Sequence, residues 1–233
     1  MDWKKELLQK PMWKEEISNR EEKEEIAKKI AERVQDGDVI GFGSGSTSYL
    51  AAIAIAEKIQ KESLKITAIP TSYEIKMLCT YLNIPTATID EKRPDWCFDG
   101  ADEVDHDNWL IKGRGAAMFN EKLNIKSAKK TYILVDQSKI VNKLCSKFPV
   151  PVECTPKAIN LVKEEIYKLG ADSIELRLAK KKDGPVITEN GNIILDVMFS
   201  NVDETLEKKL KSITGVIETG LFIGYNVEII TGE

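Results

Sequence analysis

Val39-Ile40-Gly41-Phe42-Gly43-Ser44-Gly45-Ser46-Thr47 decides the fold. Val39 to Gly43 is a short, continuous apolar run of the kind a strand covered on both faces requires. The glycine–serine turn behind it opens an Ala/Ile-rich segment that runs with helical composition to about Ile59. A buried strand, a Gly-rich turn and a helix are the opening unit of an open parallel sheet.

Working outward, Lys65 to Ile69 reads as a second strand stopped by Pro70. A helix from about Ser72 to Leu82 and a short strand near Thr86 to Ile89 follow. Trp96-Cys97-Phe98 leads apolar into an acidic loop, and Tyr132 to Val135 is another strand before Asp136. On the N-terminal side, Ile26, Ala27, Ile30, Ala31 and Val34 fall at helical spacing. Asn19 with Glu22 has the pattern of a capping box, and Asp36-Gly37-Asp38 is the turn that ends the helix. Strands alternating with helices predict an α/β fold, a Rossmann-like doubly wound and mostly parallel sheet.

The pattern changes near Pro149. Val152 to Cys154 is short and extended, and Pro156 suits the first turn of a helix to Leu169 before Gly170. Ser173–Ala179 and Val186–Thr188 read as strands around Asp183-Gly184. Asn190-Gly191 signals a type I′ hairpin into Ile193–Phe199, with a helix near Val202–Leu210. This β-α-β-β-β-α run predicts a small α+β, ferredoxin-like domain over 149–214. Residues 1–148 and 215–233 are then the larger sheet domain, to which the apolar stretch Gly215–Ile230 is expected to return.

Composition narrows the chemistry. The chain has 233 residues, 34 Lys+Arg against 38 Asp+Glu and a net charge of −4, which argues against a nucleic-acid footprint. No apolar run reaches the roughly 20 residues that span a bilayer, so no membrane partner is expected. The stretch MDWKKELLQKPMWKEE has no apolar signal core or small-residue cleavage site, and a cytoplasmic location is expected. There is one histidine, His106, and four cysteines, none in a C-x-x-C pair. That set completes no Cys/His zinc site, and no G-x-S-x-G elbow exists, so acid–base work falls to carboxylates and lysines.

Three stretches could do it. Ser44 to Thr47 lies between strand and helix, where backbone amides form an anion site. A third dinucleotide-type glycine is absent because Ser46 stands there, and a Walker lysine is absent because Gly45 does. Two hydroxyls and exposed amides suit one phosphate monoester; helix capping by Ser44 or Ser46 is the structural alternative. Asp99-Gly100-Ala101-Asp102-Glu103-Val104-Asp105 follows an apolar strand, and its four clustered carboxylates are expected to repel one another and raise individual pKa values. A solvated acidic turn is the alternative. Lys112-Gly113-Arg114-Gly115 leads toward Glu121, offering a cation, a close backbone approach and a helix-borne base. The alternative for Glu121 is a surface carboxylate, and for Lys139, after a strand end, a solvated loop lysine. His106 is expected to be exposed.

Together these residues resemble ribose-5-phosphate isomerase of the A type. The matching segments are GFGSGST, IPTS, DGADEVD, KGRGAAMFNEK, DQSK, PVPVE, GPVITENGNIILD and TGVIETGLF, in family order from about Asn19 to Ile230. The resemblance implies reversible conversion of ribose 5-phosphate to ribulose 5-phosphate without cofactor or metal, in a homo-oligomer, dimer or tetramer. It implies Glu121 as the base between C1 and C2, Asp99 and Asp102 on the sugar hydroxyls and in ring opening, and Lys112 at the enediolate oxygen. Ser44, Gly45, Ser46, Thr47, Gly100, Ala101, Gly113, Arg114 and Gly115 would line the substrate, with Lys139 and Lys23 adding positive charge. Arg114 interrupts a run that is usually all glycine, and Asn120 replaces a commoner longer polar residue. A non-catalytic sugar-phosphate effector module is the second reading, and an amino-sugar phosphate deaminase, which would call for a histidine, the third.

Overall fold

The computed structural model of the chain describes residues 16–232. Residues 1–15, which hold most of the stretch read above for a secretory signal, lie outside them. Along the chain run α1 (Arg20–Ala31), β1 (Val39–Phe42), α2 (Ser46–Glu62), β2 (Thr67–Pro70), α3 (Tyr73–Tyr81), β3 (Trp96–Asp99), β4 (Glu103–Val104) and β5 (Leu110–Ile111). Then come α4 (Met118–Ser127), β6 (Lys130–Leu134), β7 (Val150–Cys154), α5 (Ile159–Lys168), β8 (Ala171–Leu176) and β9 (Ile193–Phe199). Last are α6 (Leu206–Lys211), β10 (Val216–Thr219), β11 (Leu221–Phe222) and β12 (Glu228–Ile230). Two compact units result. The first runs up to Gly100 and adds Asn120–Ser138 and the segment from Asn226; the second is Ala101–Phe119 with Lys139–Tyr225.

The first unit is a five-stranded sheet in the order β12-β6-β3-β1-β2, parallel throughout. The chain leaves β1 to one side for β2 and returns on the other side for β3. This order places the topological switch point at β1 and β3, where open α/β sheets bind ligands beyond the carboxyl ends. Phe42 and Phe98 from these strands are fully buried with ring centroids 4.8 Å apart, and each such side chain contributes about 1.5–3 kcal/mol by leaving water. Ile26 and Ile30 of α1 and Ala52 and Ile55 of α2 complete the same core, which is why the apolar residues of both helices recur on one face.

Two expectations change here. Asn19 and Glu22 do not form a capping box: Asn19 is left-handed with no capping bond, and its amide instead reaches Asp136 at 3.0 Å. Glu22 accepts the Gln137 N–H at 2.9 Å, so both side chains are drawn to a strand end far along the chain. Thr86–Ile89 is no strand; only Thr86 bridges Ala68.

The second unit carries an antiparallel sheet in the order β10-β7-β9-β8 and a small sheet β11-β5-β4. The connection β7-α5-β8-β9-α6-β10 is β-α-β-β-α-β, the ferredoxin-like order. Its closing strand is β10, which pairs with β7, so Val216–Thr219 joins this sheet rather than returning to the larger one. Residues 101–119 and 139–148 also cluster here, a division that differs from the expected border at 148 and 149. Val186–Thr188 contributes only an isolated bridge of Ile187 to Ile193. The turn at Asn190-Gly191 is a three-residue loop: the Gly191 N–H reaches the Thr188 carbonyl at 2.9 Å, and only Gly191 takes positive φ (79°), whereas type I′ needs it at both central residues.

Candidate active site

In the first unit the site residues collect where β1, β2 and β3 end. The Asp99 carboxylate is buried, and its Oδ1 accepts the N–H groups of Ser44 at 3.2 Å and of Gly100 at 2.8 Å. That approach requires glycine at 43, because a Cβ there would lie 2.3 Å from the Asp99 carboxyl carbon. Ser44 Oγ stands 2.8 Å from both Thr71 Oγ1 and Ser72 Oγ, and Ser72 in turn caps α3 at the Ile75 N–H. The hydroxyls of Ser44, Thr71 and Ser72 thus tie the β1 turn to the β2 turn.

The N-terminus of α2 has no side-chain cap: its N-cap is Gly45 at φ +93°, a conformation that favours glycine. Capping by Ser44 or Ser46 is thereby set aside. A seventeen-residue helix that opens without a side-chain acceptor keeps its first N–H groups and positive end for an anion.

Glu121 lies in the first turn of α4 and is only 4% exposed, so it is no surface carboxylate. Its helix is held at two points one turn apart. The Asn120 amide donates to the Thr71 carbonyl at 3.0 Å and the Asn124 amide to the Ile69 carbonyl at 2.9 Å. Asn124 fits because Gly41 beneath it has no side chain. Asn120, the shorter residue noted above, therefore fixes the register of the base-bearing helix to the end of β2. Lys23, on α1, is buried and paired with Asp136 at 3.3 Å, and its Nζ donates to the Ser18 carbonyl at 2.8 Å. Asp136 immediately follows β6 and Val135, at the same carboxyl edge.

In the second unit, Lys112 is 2% exposed, with Nζ 5.7 Å from the centroid of Phe222 and its N–H bonded to the Gly220 carbonyl at 2.9 Å. Asp102 Oδ2 accepts the Arg114 N–H at 3.0 Å. Arg114 and Gly115 are exposed, whereas Gly113 is buried at φ +100° with Met118 beside it. Arg114 meets Asp102 by its backbone, and the residue stands exposed at the surface. Lys139 is half-buried with Nζ 4.8 Å from the Phe148 ring centroid. Ala101, between Gly100 and Asp102, is partly exposed.

The acidic stretch does not work as one cluster. Glu103 is fully buried and accepts the N–H groups of Cys145 at 2.6 Å and Phe148 at 2.9 Å as well as that of Lys147. Asp105 closes its own turn by accepting from Asp107 and Trp109. Asp99 and Asp102 accept from other amides, so the four carboxylates have separate partners instead of forming one repelling group. His106 is exposed, as expected. The four cysteines are buried and in no disulfide, and burial pushes Cys79 up to about 12 and Cys154 up to about 11.

Two arginine–carbonyl and asparagine–carbonyl clamps escaped the sequence reading. Arg177 donates Nη1 to the Gly113 and Arg114 carbonyls at 2.8 and 3.0 Å, and Asn124 bonds a carbonyl 55 residues away. Neither sits in a local motif; a buried polar position on an otherwise apolar helix face was the one available sign, and it applies to Asn124.

Comparison with known proteins gives the family. The family model described as ribose 5-phosphate isomerase A (phosphoriboisomerase A) matches residues 67–233. The chain is 44% identical over 209 residues to ribose-5-phosphate isomerase A of Methanocaldococcus jannaschii, covering 88% of this chain and 92% of that protein. It is also 44% identical over 216 residues to the Prochlorococcus marinus (strain MIT 9211) protein of the same name, covering 91% of each. The solved Methanocaldococcus jannaschii structure superposes with a TM-score of 0.89 at 42% identity, over 93% of this chain and 96% of that one. A D-ribose-5-phosphate isomerase in complex with phospho-erythronic acid gives the same TM-score and coverage at 40% identity. The chain belongs to the ribose 5-phosphate isomerase A family.

Proposed function

We propose that the protein interconverts D-ribose 5-phosphate and D-ribulose 5-phosphate, an aldose–ketose isomerisation in the non-oxidative pentose phosphate pathway. The observation that carries the reading is the burial of Glu121 on a helix held at Asn120 and Asn124. A buried carboxylate in the first turn of a helix, fixed in register at the strand ends, is the kind of group that serves as a base in a site. Glu121 removes the proton from C2 of the open-chain aldose and returns it at C1. Lys112 stabilises the oxygen on which charge develops in the enediolate, and a positioned base contributes about 10²–10⁴-fold. Asp99 and Asp102 hold sugar hydroxyls, assist ring opening and move protons between O1 and O2.

The phosphate is assigned to Ser44, Gly45, Ser46 and Thr47 at the open start of α2, with Lys23 and Lys139 adding positive charge. Gly100, Ala101, Gly113, Arg114 and Gly115 line the sugar through their backbone. Phospho-erythronic acid, the ligand of the relative, carries a phosphate and a carboxylate that resembles the two oxygens of an enediolate, which supports a phosphosugar substrate. The reaction needs neither metal nor cofactor, since base and cation are both side chains. A cytoplasmic homo-oligomer is expected, and pairing along the edge strand β8 would cover the exposed Leu178 and Ile187.

The test is a coupled assay with ribose 5-phosphate on EDTA-treated protein. Turnover that survives EDTA and disappears in folded Glu121→Gln is the expected result. Saturable binding without turnover would return the chain to a non-catalytic sugar-phosphate module, and a fully active Glu121→Gln would remove the base assignment.

A further inference from the structure

The geometry points to Arg177 as a positioning residue that, braced by Asp196, orients the two peptide groups after Gly113 so that the Arg114 N–H holds Asp102 and the Gly115 N–H faces a reacting sugar oxygen. The inference rests on the isomerase reading and adds to it a residue outside the segments that carry the family resemblance's proposed chemistry.

Arg177 stands one residue past β8 and spends its whole fork in two directions. Nε donates to Asp196 Oδ2 at 2.8 Å and Nη2 to Asp196 Oδ1, a bidentate pair with both side chains largely buried. Nη1 donates to the carbonyls of Gly113 at 2.8 Å and Arg114 at 3.0 Å. Asp196 is itself set in β9, in register with Pro151 on β7 and Glu175 on β8, so the brace is anchored inside the four-stranded antiparallel sheet.

Trans peptide geometry carries the next step. The Gly113 carbonyl and the Arg114 N–H belong to one planar unit and point in opposite directions. The carbonyl meets Arg177, and the N–H meets Asp102 Oδ2 at 3.0 Å, so this unit is gripped from both sides. The following unit also turns its carbonyl, that of Arg114, onto the same Nη1. Its N–H, on Gly115, is therefore turned away from the guanidinium, toward the side on which Asp102 lies. Of these two N–H groups, that of Arg114 is taken by the Asp102 carboxylate and that of Gly115 is the one directed to a sugar oxygen. Gly115 is exposed and a Cβ there would meet nothing within 4 Å, which leaves that face open to a ligand. On the other flank, Lys112 is fixed through the Gly220 carbonyl, and the Gly220 N–H bonds the Pro151 carbonyl at 2.7 Å. Pro151 and Asp196, paired across the sheet, thus set the two ends of the Lys112 loop.

Only arginine meets this demand. A lysine ammonium is a point charge that cannot hold a carboxylate bidentately and two carbonyls at once. Arg177→Lys and Asp196→Asn are therefore expected to fold and to bind substrate with little change in KM, but to lose kcat by about 10²-fold, the cost of a misplacement near 1 Å. In Arg177→Ala, guanidinium ion at sub-denaturing concentration restores turnover and methylammonium does not. Wild-type kcat in the folded Lys and Asn variants overturns the inference, whether or not the Ala variant folds. Amide exchange at Arg114, read on the full-length chain, quickens in Arg177→Lys independently of any substrate. Unchanged exchange also overturns the inference, whereas an inactive wild type whose exchange responds to the substitution strikes only the isomerase reading.

Discussion

Asn120 donates its side-chain amide to the main-chain carbonyl of Thr71 at 3.0 Å, one residue before the buried Glu121. Thr71 Oγ1 lies 2.8 Å from Ser44 Oγ, so two polar contacts through Thr71 join the base-bearing helix to the turn assigned to phosphate. Removing the amide in Asn120→Ala leaves a carbonyl without this donor, a loss of about 1–3 kcal/mol in urea unfolding. The rate is expected to suffer more than the fold, with kcat falling toward 10²-fold as Glu121 shifts by a fraction of its reach. A stability loss at unchanged kcat would make the amide a prop for the fold alone.

Gly43 is the second test. A Cβ at this position would sit 2.3 Å from the Asp99 carboxyl carbon and 2.5 Å from its Cα, and the backbone contact cannot swing aside. Gly43→Ala is expected to cost about 1–3 kcal/mol by overpacking and to displace Asp99, the residue that links the ends of β1 and β3. In Gly115→Ala the new methyl meets nothing within 4 Å, so thermal unfolding of that variant should match the wild type. Equal midpoints for both variants would contradict the close approach at Gly43.

The parallel sheet was legible because each of its main strands is a short apolar run between breakers, and Gly43, Asp99 and Glu121 stand at fixed offsets from them. What was not legible is long-range. Asn19 and Glu22 have the local pattern of a cap, yet their side chains bond Asp136 and Gln137, more than a hundred residues on. Val216–Thr219 is an apolar strand whichever sheet it enters, and its pairing with β7 is decided by chain topology rather than by its own composition. The acidic run looked like one charge cluster because spacing says nothing of partners, and Glu103 is satisfied by amides more than 40 residues away. Arg177 lacks any local signature because both Gly113 and Asp196 reach it through the fold.

The cysteines give a chemical test of burial. Desolvation pushes Cys79 up to about 12 and Cys154 up to about 11, and raises Cys145 as well, so none of these three offers a thiolate near neutral pH. An aromatic disulfide reagent at about pH 8 should leave all three unmodified in the native protein, and titrate four thiols once the chain is unfolded in urea. Rapid native reaction at Cys79 would mean that the α3 side of the core opens readily.

Asp136 ties acid stability to the substrate edge of the sheet. Burial pushes its carboxyl up, but the Ser138 and Asn19 hydrogen bonds and the Lys23 charge outweigh that and hold it below the usual carboxylate range. The unfolded chain therefore binds the extra proton first. Stability from this group is present above about pH 4 and is lost as pH falls through the lower folded value. Asp136→Asn removes the charge while leaving Lys23, 4% exposed, buried without its 3.3 Å counter-ion. Breaking a buried pair from one side costs about 3–5 kcal/mol, so the variant should be weaker by that order at neutral pH. Because asparagine does not titrate, the gap to the wild type should narrow in acid as Asp136 takes up its proton. Urea unfolding of both proteins across the acid range checks this, and a gap that stays constant would show that the pair contributes nothing through charge.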